Sequence, residues 1–454
     1  MNTASLIDSP PLAPEQEIAR LKAELADVRQ QLADTEKAFG RFVPRQFLNF
    51  LSIDNIRGVR LGMQTERKMT ILFADIRNFT GLSESMTPQE NFDFMNSYLS
   101  QMEPMIVPFR GLVDKYIGDA IMALFPESTD DGVQGALAML ERLDRYNLGR
   151  ARAGYVPIRI GIGINTGIVM LGTVGGIGRM EGTVISDAVN LASRLEGMSK
   201  VYGVPLLISE HTLHSLEDPA RYCIRFLARS RVKGKQEAQS VYEVFDADPP
   251  IMKAAKRRTR KRFEEALAFY FVGDISRARS RLVRCLEDAP GDAPAALYLA
   301  RCDEYLRNGH AEGIEDNELS QIWSEEYSSG VAEIDSQHRS LLSQMNALAI
   351  AVREARIGDT VSILALIEKE AQQQFAVEEV LMQESRYPFL AEHLHQHRRF
   401  QENLSRLSDE ISSEAENPVY MAFRIKLLLM DWTINHSTKT DRHLGHHLKS
   451  RSGG

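Results

Sequence analysis

The sequence has few cysteines, no long apolar run and no excess of basic residues. Its 454 residues include only three cysteines, too few for a disulfide framework or a cysteine-rich zinc site, which agrees with a reducing compartment. No stretch reaches the roughly 18 consecutive apolar residues of a membrane span, and the first nine residues lack the basic start and apolar core of a signal peptide. We therefore expect a cytoplasmic protein without a membrane span.

The charge argues against nucleic acid as a partner. The formal net charge is -8 and the pI is about 5.9, whereas nucleic-acid binders usually carry a basic excess. One basic run, residues 253–262, is expected to form a solvated helix face. The length predicts two to four domains at roughly 100 to 200 residues each.

Histidine is distributed unevenly. Of the 11 histidines, three (His211, His214 and His310) precede the last 130 positions, and we expect His211 and His214 to lie on the surface of a late helix. The other eight are His338, His393, His395, His397, His436, His443, His446 and His447. Such crowding indicates a metal site near the C-terminus.

The periodicity predicts several domains. Residues 1–14 have no period and are expected to be disordered, and residues 15–40 carry apolar residues at 3-4 steps, typical of a short coiled coil. A lone amphipathic helix packed on its own domain is the alternative.

Mixed strand and helix patterns fill residues 41–247, which predicts a sheet packed by helices. Residues 252–318 resemble tetratricopeptide-like helical hairpins and form a linker, and residues 322–448 predict an all-α four-helix bundle.

Two acidic residues end or join apolar strands in the mixed region. Asp75 closes the run that starts at Met69, and Asp119 follows Gly118 in a predicted hairpin. Neighbouring strands are about 4.8 Å apart and paired catalytic metals about 3.5 to 4 Å apart, so the two carboxylates could share two Mg²⁺ ions. Spacing alone leaves an alternative, in which the two aspartates only stabilise turns by local hydrogen bonds.

Four ordered strings, ILFADIRNFTGLSE, VDKYIGDAIMALF, MEGTVISDAVNLASRLE and VKGKQEAQSVYEVF, resemble the catalytic domain of class III nucleotide cyclases. The resemblance implies an α+β fold with a ferredoxin-like sheet and two Mg²⁺ or Mn²⁺ ions per site, held by Asp75, Asp119 and the Ile76 carbonyl. It implies that Asn190 orients the ribose and Arg194 neutralises charge at the α-phosphate. The groups implied to meet the phosphates are the backbone of Phe79, Thr80 and Gly81 and the side chain of Lys233, with Lys235 as the weaker candidate.

The base can be argued from donors and acceptors. Adenine N1 accepts a hydrogen bond and guanine N1 donates one; Lys115 only donates, and the Thr183 hydroxyl suits the exocyclic amine. This pair resembles the threonine-bearing bacterial adenylate cyclases and favours ATP over GTP. Gly182 and Ser186 depart from the family, which usually has an aromatic residue and a glycine there.

In these cyclases the metal-binding aspartates come from one subunit and the asparagine and arginine from the other. The resemblance therefore implies a homodimer with two symmetric sites, because one chain carries the whole set. The coiled coil would set the subunit orientation.

The C-terminal strings WSEEYSSGVAEIDSQH, QQQFAVEEVLM, YPFLAEHLHQH and DWTINHSTKTD resemble the bacterial hemerythrins, in which five histidines and two carboxylates bind two bridged irons. The implied ligands are His338, Glu378, His393, His397, His436 and Asp441. Gln374 stands where the family has a histidine and is a weaker ligand. One metal, or a bundle with buried polar residues and no metal, are the alternatives to a di-iron centre. His436 and Asp441 lie about 140° apart on a regular helix, so they share a site only if the helix is distorted or the carboxylate reaches across.

Together these patterns predict an adenylate cyclase that forms cyclic AMP and pyrophosphate and is regulated by a C-terminal domain sensing O2, NO, redox state or iron. Residues 252–318 would couple the two domains. A guanylate cyclase is the enzymatic alternative. A non-catalytic iron- or oxygen-binding signalling protein that keeps the cyclase fold for dimerisation is the alternative from another class.

Overall fold

The structure, a computed structural model, describes residues 14–40, 45–176, 178–231, 238–309, 319–412 and 417–452. Two compact units divide the chain: residues 1–67 with 168–186, and residues 68–167 with 187–454. The predicted disorder of residues 1–13 and the predicted phosphate contacts of Lys233 and Lys235 lie outside the described residues.

The helices are α1 Pro14–Phe39, α2 Arg45–Phe50, α3 Phe79–Ser83, α4 Pro88–Met102, α5 Thr129–Arg152, α6 Asp187–Tyr202, α7 Glu210–Ser215, α8 Pro250–Phe271, α9 Ile275–Asp288, α10 Ala293–Asn308, α11 Ala332–Arg353, α12 Ile357–Glu384, α13 Leu390–Ser412, α14 Pro418–Ile425, α15 Asp431–Asn435 and α16 Arg442–Ser452. The strands are β1 Gln64–Ile76, β2 Leu112–Ile117, β3 Ala120–Phe125, β4 Ile160–Gly176, β5 Arg179–Ile185, β6 Leu206–Ser209, β7 Ile224–Arg231 and β8 Ala238–Val244. Two π-helical segments, Lys426–Met430 and His436–Asp441, join α14, α15 and α16. Residues 418–452 thus form one continuous stretch, the C-terminal helix.

The first unit contains α1, α2, β5 and the end of β4. The apolar stripe of α1 is exposed, from 41% at Leu32 to 55% at Val28. Strand β5 pairs antiparallel with β4, so that Thr183 lies opposite Gly172. The stripe has the spacing predicted for a coiled coil, and its pairing stays a prediction.

The second unit holds a mixed sheet with strand order β2-β3-β1-β4-β6-β8-β7. Strands β4 and β6 run parallel, while β1 pairs antiparallel with β3, and β6 and β7 pair antiparallel with β8. The apolar runs of β1 and β3 are buried because helices cover the sheet. An α+β fold with a mixed sheet therefore agrees with the expectation.

Helix α8 and the start of α10 are anchored to the sheet by a buried ionic network. The guanidinium of Arg225 on β7 is fully buried; its Nε lies 2.5 Å from Glu243, and its two terminal nitrogens each donate to Asp292 at 2.7 Å. Lys256 on α8 joins it, 2.5 Å from Glu243 and 2.6 Å from Asp248. The prediction that the basic run at 253–262 is a solvated face is therefore wrong at Lys256, since a sequence pattern does not show which cation meets buried acids.

Helices α11, α12 and α13 and the C-terminal helix pack together around a buried polar cluster. Asn417 begins the C-terminal helix by accepting hydrogen bonds from the backbone of Val419 and Tyr420. Of the helices in the described ranges, none is both long and apolar enough to cross a membrane.

Candidate functional site

Asp75 and Asp119 meet where β1 ends beside the β2–β3 hairpin. Gly118 has φ +64°, which makes it suited to the tight turn before Asp119. The register pairs Ala74 with Ile121, and this brings the two carboxyls together. Burial, followed by a hydrogen bond and charge repulsion from Asp75, raises the pKa of Asp119 to about 7. Without a cation, Asp119 therefore keeps its proton up to near neutral pH.

The pair has the chemistry of a site for hard divalent cations. Asp119 Oδ2 is buried and has no hydrogen-bond partner among the described residues, and carboxylate oxygens are what Mg²⁺ prefers. Ile76 follows directly, its backbone N–H donating to Asp75 Oδ1 at 3.0 Å. Sequence reasoning missed Arg77, which pairs with Glu196 on α6 at 3.0 Å, because that contact joins residues far apart in the chain.

Phe79, Thr80 and Gly81 form the start of α3, just after the carboxylate pair. Asn78, which precedes them, is left-handed with φ +58°. Thr80 and Gly81 are exposed, while Phe79 is half-buried and stacks on Phe94 with ring centroids 6.3 Å apart. The backbone of this turn is thus accessible beside Asp75.

Asn190 and Arg194 are both exposed on α6, one turn apart on the same face. The opposite face carries Ala192 and Leu195, both fully buried against the sheet. Helix α6 lies directly on β4, and the side chain of Asn165 on β4 donates to the Ala188 carbonyl at 2.9 Å. The sheet therefore fixes the helix that presents the two polar side chains.

The two residues predicted to read the base lie in different units. Lys115 is on β2, with its ammonium 3.7 Å from Asp114 Oδ2, and Thr183 is on β5.

Gly182 and Ser186, which differ from the residues usual in the family, each make a specific contact in the structure. A Cβ on Gly182 would come within 2.8 Å of the ring of Phe47, which is 4% exposed, so Phe47 on α2 fills the space where the family usually has an aromatic residue. The Ser186 hydroxyl donates to the Ile168 carbonyl at 2.8 Å. Sequence reasoning missed Phe47, because nothing local connects α2 to β5.

A second constellation lies inside the C-terminal helical region, where three imidazoles converge. Glu378 Oε2 is 2.9 Å from His397 Nε2, 3.1 Å from His393 Nε2 and 3.7 Å from His436 Nε2. These four residues are buried, and their ligand atoms all lie within 4.8 Å of one another, close enough to hold one metal ion. Gln396 accepts a hydrogen bond across 2.9 Å from His436 Nδ1 and so orients the ring, as partners of metal-binding histidines do.

Asp441 extends the constellation to His338. Its Oδ1 lies 3.2 Å from both His393 Nε2 and His436 Nε2, and its Oδ2 lies 3.2 Å from His338 Nε2. Both carboxylate oxygens are buried, and imidazole nitrogens are their neighbours. A buried carboxylate ringed by imidazole nitrogens is a donor set that suits a transition-metal cation. Gln374 lies beside His338 and Glu378 in the same cluster.

The π-helical segment His436–Asp441 explains how two ligands five residues apart share one site. On a regular α-helix they would diverge, whereas the i→i+5 hydrogen bonds of a π-turn place residue i+5 above residue i. The distortion that sequence spacing required is therefore present. The remaining C-terminal histidines make other contacts; for example, His443 Nδ1 is 2.8 Å from the Tyr387 hydroxyl.

The pKa values in this cluster reflect its charge. Burial lowers the pKa of the His397 imidazole to about 4, despite the Glu378 carboxylate. At His436 burial acts in the same direction, but Asp441 and Glu378 outweigh it and raise the pKa to about 9. Without a metal, a proton on His436 compensates the two carboxylates, and a cation would replace it.

The C-terminal helix also contacts the sheet directly. Asp431 Oδ1 lies 2.9 Å from the Arg229 guanidinium on β7, with side chains 4% and 9% exposed, and Asn435 donates to Glu210 on α7 at 3.2 Å. Lys439 contacts His211. His214 is buried, 3.7 Å from Glu210, so the prediction that it lies on the surface is wrong, because α7 is covered by residues distant in sequence.

The sequence of the sheet-containing part is similar to known proteins. Residues 61–244 match the family described as the adenylate and guanylate cyclase catalytic domain. The chain is 43% identical over 233 residues to an adenylate cyclase of Anabaena cylindrica, covering 50% of this chain and 46% of that protein. It is 34% identical over 284 residues to the terminal-differentiation-specific adenylate cyclase of Dictyostelium discoideum, covering 61% of this chain and 13% of that protein.

Among solved structures, the adenylyl cyclase CyaB from P. aeruginosa shares 30% identity with a TM-score of 0.36, covering 40% of this chain and 96% of that one. The chain spans less than half the length of either of the two relatives. The family match ends before the metal-binding constellation.

Proposed function

Residues 61–244 are a catalytic domain of the adenylate and guanylate cyclase type, and from this premise we propose that the protein converts ATP into 3',5'-cyclic AMP and pyrophosphate. The observation that carries the proposal is the contact between the carboxyls of Asp75 and Asp119, which, added to burial, raises the pKa of Asp119 to about 7. Two acids held this close are stable as a charged pair only with cations between them.

The reaction joins the ribose 3'-hydroxyl to the α-phosphorus and releases pyrophosphate. In our proposal Asp75 and Asp119, with the Ile76 carbonyl, hold two Mg²⁺ or Mn²⁺ ions. Such ions, when bound, lower the pKa of the attacking hydroxyl and neutralise phosphate charge. Asn190 orients the ribose, and Arg194 stabilises the charge that grows at the α-phosphate. The groups proposed to hold the triphosphate are the backbone of Phe79, Thr80 and Gly81 and the side chain of Lys233.

ATP is the proposed substrate because Lys115 offers a donor for adenine N1 and the Thr183 hydroxyl an acceptor for the exocyclic amine. Lys115 cannot accept the N1 hydrogen of guanine, and Thr183 provides a hydroxyl for the exocyclic amine. The names of the two relatives above, both adenylate cyclases, support this choice. The alternative, that the chain is a guanylate cyclase, is tested by the same assay with GTP in place of ATP.

We propose that the active form is a homodimer in which each site takes its carboxylates from one protomer and Asn190 and Arg194 from its partner. The exposure of both side chains on α6 supports this. The exposed apolar stripe of α1 supports pairing of that helix as a coiled coil.

For the C-terminal helical region we propose a hemerythrin-like four-helix bundle that binds iron and senses O2, NO or redox state. The ligand set implied by the resemblance lies within one buried cluster: His338, Glu378, His393, His397, His436 and Asp441. A di-iron centre is the form that the resemblance implies. The donor atoms around the three histidines suit one of the two iron positions. The other position, beside His338, is less well supplied, since Gln374 replaces a histidine.

The proposed route from this bundle to the catalytic domain is the C-terminal helix itself. Asp431 pairs with Arg229 five residues before the ligand His436. Strand β7, which carries Arg229, leads towards Lys233. Helix α8 offers a second route, because Tyr420 donates to Glu264 at 2.9 Å. A metal ion that shifts the helix would therefore act on the strand that precedes Lys233 in the sequence.

The test is cyclic AMP formation by the purified full chain with ATP and Mg²⁺ or Mn²⁺. We expect product from the wild type and at least a 100-fold loss in Asp75→Asn and in Asp119→Asn, because each removes an anionic metal ligand. Exposed Asp54→Asn is the matched control and should retain activity. Wild-type protein that makes no product with iron bound, with iron removed, oxidised or reduced would refute the proposal.

A further inference from the structure

Gln374 lies in the buried cluster, one helical turn before Glu378 on α12, and is 1% exposed. Its Nε2 atom is 2.7 Å from His338 Nε2 and 2.7 Å from Glu378 Oε1. A carboxylate oxygen only accepts hydrogen bonds, so the amide atom that faces Glu378 is the donor nitrogen. Gln374 therefore donates to Glu378, and its amide nitrogen also fills the space beside His338 Nε2, which lies 3.2 Å from Asp441 Oδ2.

A metal ion beside His338 would need the same lone pairs. The group His338, Glu378 and Asp441 has the spacing of ligands to one ion, and the amide nitrogen already contacts two of its three members. To admit a cation, the amide would have to leave both contacts and break its hydrogen bond to the Glu378 carboxylate. The amide oxygen it could offer instead is a weaker ligand for a transition metal than imidazole.

The other half of the cluster is complete without Gln374. Neighbouring ligand atoms among His393, His397, His436, Glu378 Oε2 and Asp441 Oδ1 are separated by 2.9 to 3.3 Å, with one longer separation of 3.7 Å. Adjacent corners of an octahedron with bonds of about 2.1 Å are about 3.0 Å apart. One ion thus finds three imidazoles and the Glu378 carboxylate already arranged around it, with Asp441 Oδ1 beside two of the imidazoles.

We infer that this chain binds a single iron at the three-histidine position and that the Gln374 amide takes the place of a second ion. The inference rests on the metal-binding part of the proposed function and narrows it. The second oxygen of each carboxylate then faces Gln374 or His338 rather than another metal. The centre is an isolated ion, not a bridged pair.

The experiment loads the purified full chain with Fe²⁺ without oxygen, removes excess metal by gel filtration, and counts iron per chain by mass spectrometry. We expect one iron per wild-type chain. After ferricyanide oxidation we expect a high-spin ferric electron paramagnetic resonance signal, because an isolated ferric ion is paramagnetic whereas a bridged ferric pair is silent.

Two variants on the same helix complete the test. Gln374→His supplies the missing imidazole and should double the iron count and abolish the ferric signal. Gln373→His places a histidine on the exposed side of α12 and should keep one iron. Two irons and a silent spectrum in the wild type would overturn the inference and leave metal binding standing, whereas a chain that binds no iron would overturn both. The wild-type count decides the question even if Gln374→His does not fold.

Discussion

Gly163 on β4 sets how closely α6 approaches the sheet. A Cβ atom at this position would lie 2.2 Å from the backbone nitrogen of Glu196, 2.4 Å from the carbonyl oxygen of Ala192 and 2.7 Å from the carbonyl carbon of Leu195. Ordinary carbon contacts are about 3.5–4.0 Å, so one added methyl group would move the helix outwards by about 1 Å or more. Because the obstructing atoms are helix backbone, no side-chain rotation relieves the overlap.

We predict that Gly163→Ala lowers kcat for cyclic AMP formation by about 100-fold, since α6 carries Asn190 and Arg194 and a misplacement of about 1 Å costs that much. The KM for ATP should change less, because Arg194 acts on charge that grows in the transition state. Initial rates at saturating ATP and Mg²⁺ measure the effect. Circular dichroism and sedimentation establish that the variant is folded and associates as the wild type does.

Gly197→Ala is the matched control on the same helix. Gly197 is exposed and its Cβ would meet no atom within 4 Å, so the variant should keep its kcat and gain up to about 1 kcal/mol of stability from helix propensity. A folded Gly163→Ala protein with kcat within about threefold of the wild type would refute the reasoning. Equal losses of kcat in both variants would mean that any added methyl group in or beside α6 lowers activity. The close approach of α6 to β4 would then not explain the effect.

Two further predictions concern the base and the contact between domains. Lys115→Glu should shift the ratio of kcat/KM for ATP over GTP towards GTP by about 10- to 100-fold, because the new carboxylate accepts the guanine N1 hydrogen and leaves adenine N1 without a donor; an unchanged ratio would contradict the assignment. Burial raises the pKa of Asp431 to about 6, with Glu210 adding to the rise and Arg229 opposing it. Because the pKa of Asp431 is raised in the folded state, ionisation of this carboxyl lowers the free energy of unfolding. The loss begins as the pH rises above the ordinary pKa of 3.8 and reaches about 3 kcal/mol above pH 6. Asp431→Asn should remove this loss of stability between pH 4 and pH 7 in melts followed by tryptophan fluorescence, and a pH dependence equal to that of the wild type would count against the shift. The charged and titratable groups that face Asp431 are Arg229, Glu210, Lys426 and Tyr242.

Local rules were enough to predict the elements that carry the proposed catalytic residues. Gly118 between two apolar runs predicted a hairpin, and the structure has one, because a turn with φ +64° is a property of a few adjacent residues. Asn190 and Arg194 at i and i+4 predicted one shared helix face, and the structure places both exposed on α6. Whether these groups perform the predicted roles stays a prediction.

Features that depend on distant partners could not be predicted in this way. Phe47 fills the space at Gly182, and the sequence offers no periodic signal that joins α2 to β5. The burial of His214 depends on elements distant in sequence that cover α7, among them α13. The orientation of the Gln374 amide depends on the meeting of two helices, α11 and α12. The substitution itself was visible in the sequence, but its hydrogen bonds were not.

The C-terminal helix connects the two proposed sites, because it carries metal-binding residues and also residues that contact the sheet-containing domain. Its π-turn brings His436 and Asp441 to the same cluster, while Asp431 and Asn435, just before that turn, contact β7 and α7. If the turn relaxed to α-helical geometry, residues five apart would separate by about 140°, so His436 and Asp441 could no longer both face one ion. In this proposal a bound ion would stabilise the π-register, and a change in that register would turn Asp441 relative to Asp431 and Arg229. Under the proposed regulation, metal binding and catalysis are coupled through the backbone of this one turn.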